Sequence, residues 1–191
     1  MIMLFGLAGS GKSTQGQILA QKHGFAWLSV GQVLRDTGKF NKTLEKGELV
    51  NDNEVIKIMS EKISAVKNSG KDIILDGFPR DAYQAKWAAK HLAADVSSAV
   101  ILEVPKDELL VRIISRGRED DTREAVEKRF EIVETNLKKI VRELEKKGVN
   151  VIHVSGLGPV ETVTKRLERS LFKKNRQKIR RPSAGTNFRF R

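Results

Sequence analysis

Gly6-Leu7-Ala8-Gly9-Ser10-Gly11-Lys12-Ser13 is the stretch that decides the fold. It follows an apolar run, residues 1–5 (MIMLF), and opens a segment of helical character over residues 12–23. The pattern G-x-x-x-x-G-K-[ST] between a strand and a helix is a phosphate-binding loop. Its glycines let successive backbone N–H groups turn inward around phosphate oxygens, and the helix N-terminus adds favourable partial charge. The Lys12 ammonium reaches the phosphates, and the Ser13 hydroxyl is placed to bind Mg²⁺.

Working outward, short apolar runs alternate with helical periods. Residues 26–29, 71–76, 98–104 and 149–154 read as further strands. Between them lie a broken polar helical region (31–46), an amphipathic helix carrying Val55, Ile56, Met59 and Ile63, and a helix over 107–115. A long charged helix (123–147) and a closing helix from residue 160 complete the series. Strands alternating with helices predict an α/β fold: a five-stranded parallel sheet flanked by helices, of the P-loop NTPase type.

A second site stands in Ile73-Ile74-Leu75-Asp76-Gly77-Phe78-Pro79-Arg80. An apolar strand here delivers a carboxylate and then a guanidinium at its C-terminal end, the edge at which open α/β sheets bind ligands. Asp76 is expected to hold Mg²⁺ through water, which joins it to Ser13 as the metal pair.

Bulk properties narrow the chemistry. Among 191 residues there is no cysteine, and three scattered histidines give no metal-ligand spacing, so any metal should be a hard, oxygen-bound ion. No stretch approaches the roughly 20 apolar residues of a membrane span, and a cytoplasmic protein is expected. The net charge of +12 is concentrated at one end: eight Lys and Arg and no acid fall in residues 173–191, leaving +4 for the rest. A mildly basic body suits polyphosphate substrates. The tail, with its Arg181-Pro182-Ser183-Ala184-Gly185 turn composition, is expected to be disordered and able to contact a polyanion or nucleic acid.

The segments GLAGSGKSTQ (6–15), SVGQVLR (29–35), GELV (47–50), DGFPRDAYQ (76–84) and residues 116–129 together resemble the adenylate kinases, in that family's order and spacing. The likeness covers residues 1–171, which it implies are one P-loop kinase domain. That domain would carry a small helical acceptor-binding insertion over residues 30–59 and a very short lid over residues 115–124, and residues 172–191 would form the basic tail. The implied reaction moves the γ-phosphate of ATP to AMP with Mg²⁺ as cofactor, in a monomer. A kinase for CMP, UMP or another small molecule, or a P-loop protein whose basic tail binds nucleic acid, is the alternative.

The resemblance also assigns residues. Gly9, Ser10, Gly11, Lys12, Ser13, Thr14, Arg112, Arg116 and Gly158 would bind ATP. Val30, Gly31, Arg35, Glu48, Leu49, Val50, Gly77, Phe78, Arg80, Gln84, Arg118 and Arg129 would bind AMP, with Arg35 clamping its phosphate and Gln84 reading its adenine edge. Lys12, Arg80, Arg116, Arg118 and Arg129 would be catalytic, because forked guanidiniums stabilise charge on the moving phosphoryl group.

Three positions depart from the family's usual residues. Val30 replaces a threonine that contributes to base recognition, so selectivity would rest more on Gln84; Ser13 replaces a glycine, and Gln32 an aspartate. Only Gly117 separates Arg116 from Arg118, so the lid is shorter than the family's short type, and some ATP hydrolysis is expected to accompany transfer.

Overall fold

Four-residue runs such as Ile2–Phe5 and Ile73–Asp76 are buried along their whole length, as strands are when both faces of a sheet are covered. The computed structural model describes residues 1–46, 49–116 and 123–172, and of Ile114, Arg116, Ala125 and Arg129 the backbone alone. Strands β1 (Ile2–Phe5), β2 (Ala26–Ser29), β3 (Ile73–Asp76), β4 (Ser98–Glu103) and β5 (Val151–Ser155) form one sheet in the order β2-β3-β1-β4-β5. Every pairing is parallel, with Leu4 opposite Asp76 on one side and Val100 on the other. The expected five-stranded parallel sheet is present.

Alternation along the strands divides the core. Met1, Met3 and Phe5 join Ile73, Leu75, Ala99 and Ile101 on one face. Ile2 and Leu4 join Ile74, Val100, Leu102 and Val154 on the other. The first face is covered by helices α2 (Val30–Asp36), α3 (Asn41–Glu45), α4 (Asp52–Asn68), α5 (Ala82–His91) and α7 (Arg123–Glu145). The second is covered by α1 (Lys12–His23) and α8 (Val160–Phe172). Helix α6 (Lys106–Arg116) contributes Leu109 and Ile113 to a smaller cluster with Val126 and Phe130 of α7.

Three details differ from the sequence reading or refine it. The sequence pattern marks no element over residues 82–91, which form α5, because its buried side chains Ala85, Ala88 and Ala89 are too small to give a strong apolar period. In helix α8 the Phe172 ring lies against His23, with centroids 4.2 Å apart. Tyr83 projects outward at 56% exposure and donates from its hydroxyl to Asn53 Oδ1. Trp87 does pack inward, edge-on to Phe78 and stacked with His91.

Among the described residues no helix is long and apolar enough to cross a membrane. The basic tail from residue 173, and the polyanion contact expected of it, lie outside the described residues, as do 117–122 of the expected lid.

Candidate active site

Helix α1 follows β1 and leads to β2 on one side of it, whereas the connections after β3 and β4 lead to the other. The C-terminal end of β1 is therefore where the connections part, the position at which such sheets open a ligand crevice. A cavity of about 440 Å³ lies there, within the range of small-molecule sites.

One side of the cavity is the loop after β1. Gly6 has φ 139°, and a Cβ on it would lie 2.5 Å from the Leu102 carbonyl oxygen, so only glycine lets the chain turn this close to β4. Gly11 caps α1 in the left-handed region with no side-chain cap, which leaves the first N–H groups of the helix toward the cavity. Lys12 Nζ donates to the carbonyl oxygens of Gly6 and Leu7, 2.8 Å from each, and so is held across the loop it belongs to. Ser10 is buried, and its hydroxyl has no partner among the described residues.

The metal pair named from the sequence meets in space. Ser13 Oγ donates to Asp76 Oδ2 at 2.7 Å, joining the start of α1 to the end of β3 although 63 residues separate them. Two adjacent oxygen donors on the wall of a phosphate site suit Mg²⁺, which takes one or two protein oxygens and completes its shell with phosphate and water. Among the described residues no group of three or more His, Cys, Asp or Glu gathers to hold a metal by itself.

Opposite stands a cationic pair. Gly31 lies in the first turn of α2, and a Cβ on it would come within 3.1 Å of an Arg80 terminal nitrogen and 3.5 Å of an Arg35 terminal nitrogen. Two guanidiniums thus converge over a residue with no side chain, an arrangement that selects for an anion between them. Arg80 is fixed by Nε donating to the Gly77 carbonyl at 3.2 Å.

Behind Arg80 is a polar cluster. Gln84 is buried; its Oε1 accepts from the Arg80 backbone N–H at 3.0 Å, and its Nε2 donates to Asp52 Oδ1 at 2.8 Å. Asp81 caps α5, accepting from the N–H groups of Tyr83 and Gln84. Burial, and then its hydrogen bond to Asp52, push the Asp81 carboxyl up to about 6.

Gly9, Gly11, Lys12, Ser13, Thr14, Asp76, Gly77, Gly31, Arg35, Leu49, Arg80 and Arg112 all border the one cavity. Arg112 is oriented by Glu108 Oε1 at 2.9 Å and the Gly156 carbonyl at 3.2 Å. Val30, Val50, Phe78 and Gln84 are all buried behind that surface and do not border the cavity. Gly158 has φ 97° in the loop between β5 and α8 and does not border the cavity. Arg116 ends α6 and Arg129 lies in the second turn of α7; Glu48 and Arg118 lie outside the described residues.

The sequence reading missed two groups. Ile132, Val133, Leu137 and Ile140 of α7 give the cavity an apolar wall, hidden in the sequence because a long charged helix reads as solvated. Asp52 and Asp81 were also passed over. The Asp81-x-x-Gln84 spacing resembles a helix capping box and was a usable signal, whereas Asp52 had none.

Fold and site define the class: a P-loop protein whose phosphate loop faces paired arginines across a single cleft. The sequence model of the family described as adenylate kinase matches residues 4–149. The chain is 36% identical over 177 residues to an adenylate kinase of Bacteroides thetaiotaomicron, covering 85% of this chain and 93% of that one. It is 33% identical over 186 residues to an adenylate kinase of Thermus thermophilus, covering 89% and 96%. A Synechococcus adenylate kinase is 32% identical over 181 residues, covering 89% and 97%. With a family match across most of its length and relatives this similar, the chain belongs to the adenylate kinase family.

Proposed function

We propose that this chain is a nucleoside monophosphate kinase that reversibly moves the γ-phosphate of ATP to AMP, giving two ADP. The carrying observation is the single cleft in which Lys12 and Ser13 face Arg35 and Arg80. In-line transfer needs donor and acceptor phosphates end to end, with cations between them.

In this reading the loop from Gly9 to Thr14 holds the ATP phosphates, and Lys12 exchanges its two loop carbonyls for phosphate oxygens. Arg35 takes the AMP phosphate, and Arg80, beside it over Gly31, bridges the two nucleotides. An oxygen of the AMP phosphate attacks the γ-phosphorus; the bond from that phosphorus to the bridging oxygen breaks, and ADP leaves with the electron pair. Guanidiniums fixed before the reaction stabilise the oxygens that carry the charge. Mg²⁺ bound on the Ser13 and Asp76 side supplies neutralisation of the phosphate charge. Helices α2 and α3, with the first half of α4, form the acceptor-binding insertion, and the Gln84 amide reads the base.

A coupled assay offering AMP, CMP, UMP and GMP in turn, each with ATP and Mg²⁺, tests this. AMP is expected to give the highest kcat/KM. Equal or faster turnover of a pyrimidine nucleotide would overturn the acceptor assignment, and no transfer to any of the four would overturn the kinase reading.

A further inference from the structure

Gln84 carries more constraint than base reading alone requires. An amide side chain presents an oxygen and a nitrogen that exchange places when the group turns by half a revolution, so a residue meant to read a base must be held one way round. At Gln84 two partners fix the choice. The Arg80 backbone N–H can only donate, so it takes Oε1, and the Asp52 carboxylate, when ionised, can only accept, so it takes Nε2. These partners come from different elements: Arg80 precedes α5, and Asp52 is the first residue of α4. Each engages one hydrogen-bonding position of the amide. One N–H and one oxygen lone pair of Gln84 are left with no partner among the described residues.

We propose that Asp52 is a specificity-positioning residue: by fixing the orientation of the Gln84 amide, it sets the acceptor site to select a 6-aminopurine over a 6-oxopurine. The inference rests on the reading that Gln84 faces the acceptor base. The Watson–Crick edge of adenine offers an amino donor beside a ring acceptor, and a 6-oxopurine offers a carbonyl acceptor beside a ring N–H donor. The two patterns are mirror images across an amide, so turning Gln84 over exchanges which base it pairs with. A fixed amide therefore rejects the wrong purine because donor would meet donor and acceptor would meet acceptor, the kind of mismatch that discriminates most strongly in a buried site.

The surroundings support a held orientation. Gln84 is only 1% exposed, so a turned amide could not recover its lost bonds from water. Asp81 sits against Asp52 and accepts the Gln84 backbone N–H, which ties the start of α5 to the same pair of carboxylates. Arg80, whose guanidinium lies beside Arg35, donates its main-chain N–H to this amide, so the base reader and the phosphate clamp share one anchor. A capping box would have Gln84 accept from the N–H of the cap residue Asp81, so capping accounts neither for the bond that Arg80 N–H donates to Oε1 nor for a carboxylate on Nε2.

The test uses AMP and IMP, which differ at position 6 and the adjoining ring proton. In Asp52→Asn the new side chain can accept from Nε2 or donate to Oε1, so one of the two constraints is lifted with little change in size. The ratio of kcat/KM for AMP to that for IMP is expected to fall about tenfold, mainly through KM, while the KM for ATP stays within about twofold. Gln84→Ala separates the two layers of the argument. If it leaves the ratio unchanged, Gln84 does not read the base and the acceptor-site reading fails. If Gln84→Ala lowers the ratio and Asp52→Asn does not, the reading stands and the orienting role of Asp52 is wrong. Should Asp52→Asn fail to fold in a thermal melt, Asp52→Ser, whose hydroxyl also both donates and accepts, carries the same comparison.

Discussion

The two sides of the cleft are built from different materials. On the side proposed for the donor the cavity-facing groups are mostly backbone: a loop of eight consecutive residues, shaped by glycines and held against β4, with Lys12 reaching back to the carbonyls of Gly6 and Leu7. The side proposed for the acceptor is assembled from side chains on separate elements. Arg35 comes from α2, Asp52 from α4, Arg80 from the loop after β3 and Gln84 from α5. A contiguous backbone site survives changes elsewhere in the chain, whereas a site of converging side chains depends on how its helices are packed. Damage on the donor side should remove chemistry, and damage on the acceptor side should first change affinity and selectivity.

The sharpest break is Lys12→Met, which keeps the stem of the side chain and removes the charge. It is expected to lower kcat on the order of 10³-fold with an unchanged thermal melt, since the amine is placed to act on phosphate. Equal loss of kcat and of stability would show that Lys12 mainly braces the loop. Next in size is Gly31→Ala. Its methyl would stand 3.1 Å from Arg80 and push the two guanidiniums apart, so the KM for AMP should rise about tenfold while that for ATP moves little. If both constants moved together, the two sides would not be the separate structures described.

Asp76→Asn tests the junction between them. The Mg²⁺ concentration giving half-maximal activity should rise about tenfold at saturating ATP, because Ser13 loses an anionic partner and the ion an anionic neighbour. The smallest effect concerns pH. The Asp81 carboxyl is raised from 3.8 to about 6, so between those values the folded chain binds more protons than the unfolded one, and this group's contribution makes stability fall as pH rises. Asp81→Asn keeps the cap and removes the titration. Its melting temperature should exceed that of the parent at pH 7, and the gap should close toward pH 4, which differential scanning calorimetry would read. Glu143 and Glu168 are held below their ordinary range by Lys146 and Lys22, and their contributions are common to parent and variant, so the difference between the two reads Asp81 alone.

Legibility followed the same division. The P-loop, Lys12 and Ser13 could be read because their chemistry needs fixed residue types at fixed spacing, and Asp76 because an apolar strand ending in a carboxylate marks the binding edge of a sheet. Arg35 and Gln84 were named through family resemblance alone. A lone arginine on a short helix and a glutamine in an alanine-rich one carry no local signal. Helix α5 itself is faint in the sequence for the related reason that Ala85, Ala88 and Ala89 mark a buried face only weakly.

The sequence by itself determined the alternation of strands and helices, the parallel sheet and the phosphate loop, because periodicity and glycine placement act over neighbouring residues. Only the tertiary structure decided that Ser13 meets Asp76, that two arginines close over Gly31, and that Asp52 holds the amide of Gln84. Ser13 and Asp76, Gly31 and Arg80, and Asp52 and Gln84 stand 63, 49 and 32 positions apart, and they meet only where helices packed on the sheet bring their ends together. No local pattern encodes such an encounter: its geometry belongs to the packed core.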